Sequence, residues 1–228
     1  MKLSEQTVSI LKNFSTINQN ILVKEGSQLR TMSTMKNILA EAEVTEAFPQ
    51  DFGIYDLNEF LGVLTLVKDA EVDFSSEKFA NLTGSRTKIK YFFSDPSILT
   101  TPPETFNAPE CDVNISVSRN TLTSVLKAAA VMQLPDVVLS RVTLEVPAGI
   151  AATDLKNSTS NTYTEQLDDD RQDKTFKFHF KADNLKMIPG DYQVSASTTA
   201  QVSNWVGMKR PIGLRWKQSV NNKELYYD

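Results

Sequence analysis

Any chemistry in this chain would have to be built from very few reactive side chains. It holds one histidine, His179, and one cysteine, Cys111. A Ser–His or Cys–His nucleophile would rest on a single residue of each type. His179 stands in "TFKFHFKA", where Phe176, Phe178 and Phe180 alternate with Lys177, His179 and Lys181. That period of two puts it on the polar face of a strand, a solvated position. Cys111 borders a proline-bearing stretch and reads as a plain thiol. One cysteine forms no intramolecular disulfide, and a Cys/His zinc cluster has no ligands here. "DDD" at Asp168–Asp170 has the residue type that holds a divalent cation, but acids ahead of a strand usually mark a solvated turn. "NLT" at Asn81 matches a glycosylation sequon, which matters only in a secreted chain. There is no glycine-rich phosphate loop. The expectation is a protein that is not an enzyme and carries no cofactor or metal.

The cations on helices hold more information. "LSEQTVSILKNFSTI" has Ser4 as its cap, and Leu3, Ile10, Phe14 and Ile17 on one face, with Lys12 pointing away from it. "ISVSRNTLTSVLKAAAVM" reads as a helix with Leu122, Val125, Leu126, Ala129 and Met132 on its apolar face. Lys127 and Asn120 lie on its outer face, Arg119 is at its start, and no acid occurs from Ser118 to Met132. Lys68 and Lys186 fall near the ends of two further predicted helices. Charges near helix C-termini are favoured by the dipole in any case, so position alone does not assign them a ligand.

The frame that positions these residues is ordinary in bulk. The chain has 228 residues, 40% of them hydrophobic and 23% charged, enough for one large domain or two of about 100 residues. Its 24 Lys and Arg against 28 Asp and Glu leave a net charge of −4, unlike the usual basic nucleic-acid binder. The N-terminus is a polar, capped helix and not a signal peptide, and no apolar run approaches a membrane span, so a soluble intracellular protein without membrane contact is expected.

Short tracts "NILVKEG", "QLRTMS" and "NILAEAEV" read as strands of a meander, followed by "EVDF", "KFANLTG" and "TKIKYFF". Between them "DFGIYDLNEFLGVLTLV" reads as a helix capped at Asp56 and running to about Lys68. Val63, Leu66 and Val67 extend its apolar surface most of the way round, which predicts burial on most sides. "SDPSILTTPPETFNAPECD", Ser94–Asp112, has four prolines and no periodicity, and should run extended. It divides the chain into a first domain at 1–93, a connector at 94–112 and a second domain at 113–228. In the second half "VVLSRVTLEV", "IAATDL", "NTYTEQL" and "KTFKFHFKA" read as strands. "ADNLKMIPGDY" reads as a short helix, and "YQVSAST" and "IGLRWKQSV" as closing strands. The order helix, strands, helix, strands thus occurs twice, and "SILK" at Ser9–Lys12 recurs as "SVLK" at Ser124–Lys127.

"MKLSEQTVSILKNFSTIN", "IYDLNEFLGVLTLV" and "LKMIPGDYQV" resemble the corresponding segments of the DNA polymerase sliding clamps of T-even-type bacteriophages. Their order and spacing, the chain length and the mid-chain connector suit that family. The likeness is strong from Met1 to about Val72, thins through the second-domain strands, and returns at Lys181–Val194. The tail from Trp205 to Asp228 departs most.

The resemblance implies an α+β DNA-clamp fold with two similar domains per chain. It implies a head-to-tail homotrimeric ring with antiparallel sheets outside and helices lining a central hole. Double-stranded DNA would be held topologically and without sequence preference, so an acidic net charge is no objection. Lys12, Lys68, Arg119, Lys127 and Lys186 would face the DNA. A phage DNA polymerase would dock a short apolar peptide beside the connector, where Ile98, Leu99 and Phe106 are the candidate contacts. A clamp-loader ATPase and late-transcription factors are the other implied partners, in the cytoplasm of an infected bacterial host. The competing reading is a non-enzymatic virion or assembly protein built from a duplicated β-rich domain.

Overall fold

A computed structural model describes residues 1–105, 109–168, 174–197, 199–208 and 217–221. The chain forms two compact units, the first running from Met1 to Thr105 and the second made of the described residues that follow.

In the first unit α1 (Glu5–Ile17) begins at Ser4, whose hydroxyl accepts the Thr7 N–H at 3.2 Å. Thr7, Ile10, Leu11, Phe14 and Ile17 are buried along one face, as the helical spacing requires. Then come β1 (Ile21–Val23), β2 (Gly26–Met32), β3 (Ile38–Phe48) and β4 (Phe52–Ile54), with β1 paired to β4 and β2 to β3. Helix α2 (Leu57–Leu66) follows, and β5 (Glu71–Asp73), β6 (Phe79–Thr83) and β7 (Lys88–Phe92) form an antiparallel three-stranded sheet. Helix α1 lies on β2 and β3 with α2 at its side. Phe48, Phe52, Phe74 and Phe93 pack as one aromatic cluster, Phe52 and Phe74 stacked with centroids 4.7 Å apart.

Asp56 caps α2 as expected, its Oδ1 accepting the N–H groups of Asn58 and Glu59 at 2.9 and 3.1 Å. The helix stops at Leu66, short of Lys68, because Val67 turns extended and packs its side chain against Gly84. Burial on most sides of α2 is not what the chain shows. Leu57, Phe60 and Leu61 are buried and Val67 is 2% exposed, but Leu66 is 68% exposed. Helix α1 and the sheet cover only part of the apolar surface.

The second unit opens with β8 (Val113–Val117) and α3 (Arg119–Met132). The predicted helix therefore begins later than its apolar residues suggested. Ile115 and Val117 are strand residues, and Ser118 caps the helix by accepting the Thr121 N–H at 3.1 Å. Strands β9 (Asp136–Arg141), β10 (Gly149–Thr153), β11 (Tyr163–Gln166) and β12 (Phe176–Lys181) form a sheet ordered β11-β10-β9-β12, on which α3 lies. Strands β13 (Tyr192–Ser197), β14 (Val202–Gly207) and β15 (Lys217–Asn221) continue from β8 in the order β8-β13-β14-β15, all antiparallel. Trp205, fully buried, packs edge-on against Phe180 and Tyr192.

Two predicted elements change form here. "VVLSRVTLEV" leaves the sheet at Arg141, whose guanidinium donates to the Leu144 carbonyl at 2.8 Å and bends the chain. The expected helix over "ADNLKMIPGDY" is a single 3-10 turn, Ala182–Asn184. Lys181 offers it no side-chain cap, and Pro189 drives the residue before it out of helical geometry, too little chain for a nucleus. Lys186 accordingly follows a turn and not a helix. No helix among the described residues is long and apolar enough to cross a membrane.

Candidate nucleic-acid interface

The two cation-bearing helices are built by the same local code. "SEQT" at Ser4–Thr7 and "SRNT" at Ser118–Thr121 each place a serine cap three residues ahead of a buried threonine. Both serine hydroxyls bond the threonine hydroxyl as well as its N–H, at 3.1 Å in α1 and 3.0 Å in α3. The caps lie 114 residues apart, whereas "SILK" and "SVLK" lie 115 apart, so α3 carries one extra residue between cap and body. Burial follows the longer spacing. Ile10 and Val125 are buried, Phe14 and Ala129 are buried, and Lys12 and Lys127 are both exposed. The two lysines therefore hold matching places on the solvent faces of α1 and α3.

Each cap is braced by an acid from far along the chain. In the first unit Glu46 on β3 accepts from the Ser4 N–H and from the Thr7 hydroxyl, the latter at 2.5 Å. Burial pushes the Glu46 carboxyl up, but the bonds from Ser4 and Thr7 outweigh it and hold it below the usual range. In the second unit Asp191, just ahead of β13, accepts the Arg119 N–H at 2.8 Å. Both acids sit at the positive end of a helix dipole. The sequence reading missed them, and the repeated Ser-x-x-Thr was the one signal that pointed to a shared cap.

Arg119 is exposed in the first turn of α3. Lys68 is exposed two residues beyond α2, next to Asp69, which pairs with Lys2 at 2.9 Å. Lys186 is half-buried. Lys12 lines a shallow cleft with Leu3, Glu5, Val8 and Ser9. His179 is half-buried on β12, where burial and then the neighbouring Lys177 hold its pKa below the ordinary value, with Asp136 pulling the other way. No group of three or more His, Cys, Asp and Glu residues among those described is arranged to hold a metal ion.

The connector is less extended than expected. Asp95 caps a 3-10 turn at Pro96–Ile98, and the segment is bonded to the first unit as far as Glu104. The Ser94 N–H donates to the Gly53 carbonyl at 2.9 Å, Thr100 N–H to Asn20 at 3.0 Å, and Arg30 to the Glu104 carbonyl at 3.1 Å. Of the candidate partner contacts, Ile98 is 60% exposed and Leu99 is 9% exposed, packed over Gly53. Phe106 lies outside the described residues.

Comparison with known proteins agrees with this architecture. Residues 2–98 match the family described as DNA polymerase processivity factor, and residues 114–212 match the C-terminal domain of the gp45 sliding clamp. The sliding clamp of Vibrio phage KVP40 is 34% identical over 91% of this chain and 95% of its own length. That of Enterobacteria phage T4 is 31% identical over 85% and 86%. Among solved structures, A. fulgidus PCNA bound to the C-terminal region of FEN-1 superposes with a TM-score of 0.75 at 11% identity, covering 100% of this chain and 98% of that one. The H. pylori beta clamp reaches 0.68 at 10% identity, over 94% of this chain and 63% of that one. These likenesses show the clamp fold, which this chain builds from two units of helices and antiparallel sheets. The chain belongs to the sliding-clamp family of DNA polymerase processivity factors, among the clamps of T4-like phages.

Proposed function

We propose that this protein encircles duplex DNA as a ring of three copies and tethers a phage DNA polymerase to its template. The observation that carries this reading is the match of both units, across nearly the whole chain, to clamps of T4-like phages. The duplicated cap-and-lysine module of α1 and α3 supports it, since two similar units in each of three chains give six equivalent positions around a hole. Lys12, Lys68, Arg119, Lys127 and Lys186 supply weak phosphate contacts, which carry no sequence information and permit sliding. Retention comes from closure and not from affinity, which fits a net charge of −4.

The protein hydrolyses nothing. Opening of the ring belongs to a separate clamp-loader ATPase, and Ile98, Leu99 and Phe106 border the groove for the polymerase peptide. Late-transcription factors dock on the same ring in the cytoplasm of the infected bacterium. The working domain limits are 1–93 and 113–228, joined by 94–112.

The test has two parts. Sedimentation over a concentration series should show a species near three times 25.5 kDa that dissociates on dilution. Processive synthesis on a primed circular template, with loader and polymerase present, should depend on adding this protein. A chain that stays monomeric at micromolar concentration and leaves product length unchanged would overturn the reading.

A further inference from the structure

Residues 94–105 contain one 3-10 turn and no strand, yet three pins tie their backbone to the first unit. The Ser94 N–H donates to the Gly53 carbonyl at 2.9 Å, where the two residues form an isolated β-bridge. The Thr100 N–H donates to Asn20 Oδ1 at 3.0 Å. Arg30 Nη1 donates to the Glu104 carbonyl at 3.1 Å. The interval from Ser94 to Thr100 holds the turn, with Leu99 buried and Ile98 standing out, 60% exposed. The interval from Thr100 to Glu104 holds Pro102 and Pro103, whose rings fix φ.

The second and third pins are side chains, and both lead back to β2. Asn20 is itself held through Asn18, the buried residue that ends α1. The Asn20 N–H donates to Asn18 Oδ1 at 3.1 Å, and Asn18 Nδ2 donates to the Met32 carbonyl on β2 at 2.7 Å. Arg30 lies on β2 directly across from Glu41 on β3, and its Nε and Nη2 meet Glu41 Oε1 at 3.0 and 2.9 Å. That leaves Nη1 for the connector. The two side chains are only 16% and 20% exposed. Desolvation offsets much of the attraction in such a pair, so it is weak evidence for stability. What the pair does provide is a rigid planar fork held in one orientation. Both pins grip backbone groups of the connector, so they fix its path and leave its side chains free.

We infer that Asn20 and Arg30 are positioning residues for partner binding, holding the connector in its docking path before a polymerase peptide arrives. This inference rests on the reading that the peptide docks beside the connector, and adds the residues that make that border rigid. A segment that must be ordered during binding subtracts its ordering cost from affinity, whereas one already fixed does not. Ile98 is exposed, so its own packing does not fix where it stands. Its place is set by Leu99 against the first unit and by the Asn20 bond two residues on. Arg30 fixes the exit of the segment beyond the prolines.

The experiment uses full-length chains, with circular dichroism melts and sedimentation to establish folding and assembly, and calorimetry with a synthetic polymerase-tail peptide. Asn20→Ala removes the accepting oxygen, whereas Asn20→Asp keeps one. Arg30→Lys keeps a cation for Glu41 but has no second nitrogen for the connector, so it separates the pin from the ion pair. Asn20→Ala and Arg30→Lys should each weaken peptide binding about fivefold while assembly is unchanged, and Asn20→Asp should bind like the wild type. A glutamate-specific protease provides the second readout, because Arg30 holds the carbonyl of the Glu104–Thr105 bond that it would cut. Cleavage there should be several times faster in folded Arg30→Lys than in the wild type. Folded Asn20→Ala and Arg30→Lys chains with wild-type peptide affinity overturn the positioning role, even if their melts are lowered. Cleavage at Glu104 that is unchanged in Arg30→Lys, or Asn20→Asp binding as weakly as Asn20→Ala, also overturns it. A folded, assembled wild type that binds no peptide overturns the docking reading and this inference together.

Discussion

Thr7 and Glu46, 39 residues apart in the chain, meet at the start of α1, where the Thr7 hydroxyl donates to Glu46 Oε2 at 2.5 Å. The same carboxylate takes the Ser4 N–H, so one acid on β3 satisfies donors at the open end of the helix and ties it to the sheet beneath. The orientation of α1, and hence of Lys12 on its outer face, depends on this bond.

Glu46→Gln should destabilise the protein by about 1 kcal/mol at pH 7, a value discounted for the partial exposure of the group. The folded-state pKa of Glu46 lies below 4.5, so its contribution is present above the unfolded value and is lost as pH falls through the folded one. Urea titrations at pH 7, 5 and 3 should therefore show the gap between wild type and variant narrowing once pH falls below 4.5. A gap that is constant across this range would contradict the ionic role.

Gly53 is where the connector comes closest to the first unit. A Cβ there would stand 2.6 Å from the Ser94 carbonyl oxygen and 2.7 Å from Leu99 Cδ1. Gly53→Ala should cost about 1–3 kcal/mol by overpacking, and Leu99→Ala about 2–3 kcal/mol by leaving a cavity. In the double variant the Leu99 clash is gone, so the summed cost should fall short of additivity. Chemical denaturation of the four proteins measures this, and strict additivity would place the two residues apart.

Ile98 separates binding from folding. With 60% of its surface exposed, Ile98→Ser should change stability by less than about 0.5 kcal/mol. If Ile98 borders the polymerase groove, the variant should weaken binding of a polymerase-tail peptide about fivefold or more, read by calorimetry. Unchanged affinity removes Ile98 from the groove.

Lys12→Glu with Lys127→Glu tests the proposed lining of the hole. Both side chains are exposed on their helices, so folding and assembly should be unaffected. Loading and processive synthesis should fall, most visibly as salt is raised from about 50 to 200 mM, because each contact is a screened phosphate contact. Product lengths at the two salt concentrations provide the measurement. Wild-type lengths at both would make these lysines ordinary solvent charges.

Much of this protein is legible in its sequence. Caps are local hydrogen bonds, so Ser4 and Asp56 marked their helices directly. The alternation of Phe176, Phe178 and Phe180 with polar neighbours placed β12, because a strand turns successive side chains to opposite faces. The scarcity of nucleophiles and metal ligands came from composition alone, and the repeated order of elements pointed to two similar units.

Tertiary structure decided what depends on residues distant in sequence. The braces of Glu46 and Asp191 join positions 42 and 72 residues apart, and no local pattern announces them. The 3-10 turn at Ala182–Asn184 replaces a helix whose apolar residues looked adequate, because a missing cap and Pro189 leave no stable nucleus. Leu66 is exposed and Val67 buried because the chain changes direction between them, which an apolar count along a helix does not register. Strand β5 lost its free edge to Met1, 71 residues earlier, through hydrogen bonds that exist only once the sheet has formed. Period and capping act over a few residues and can be read one at a time, whereas edges, braces and exposed faces are set by which distant segments the folded chain brings together.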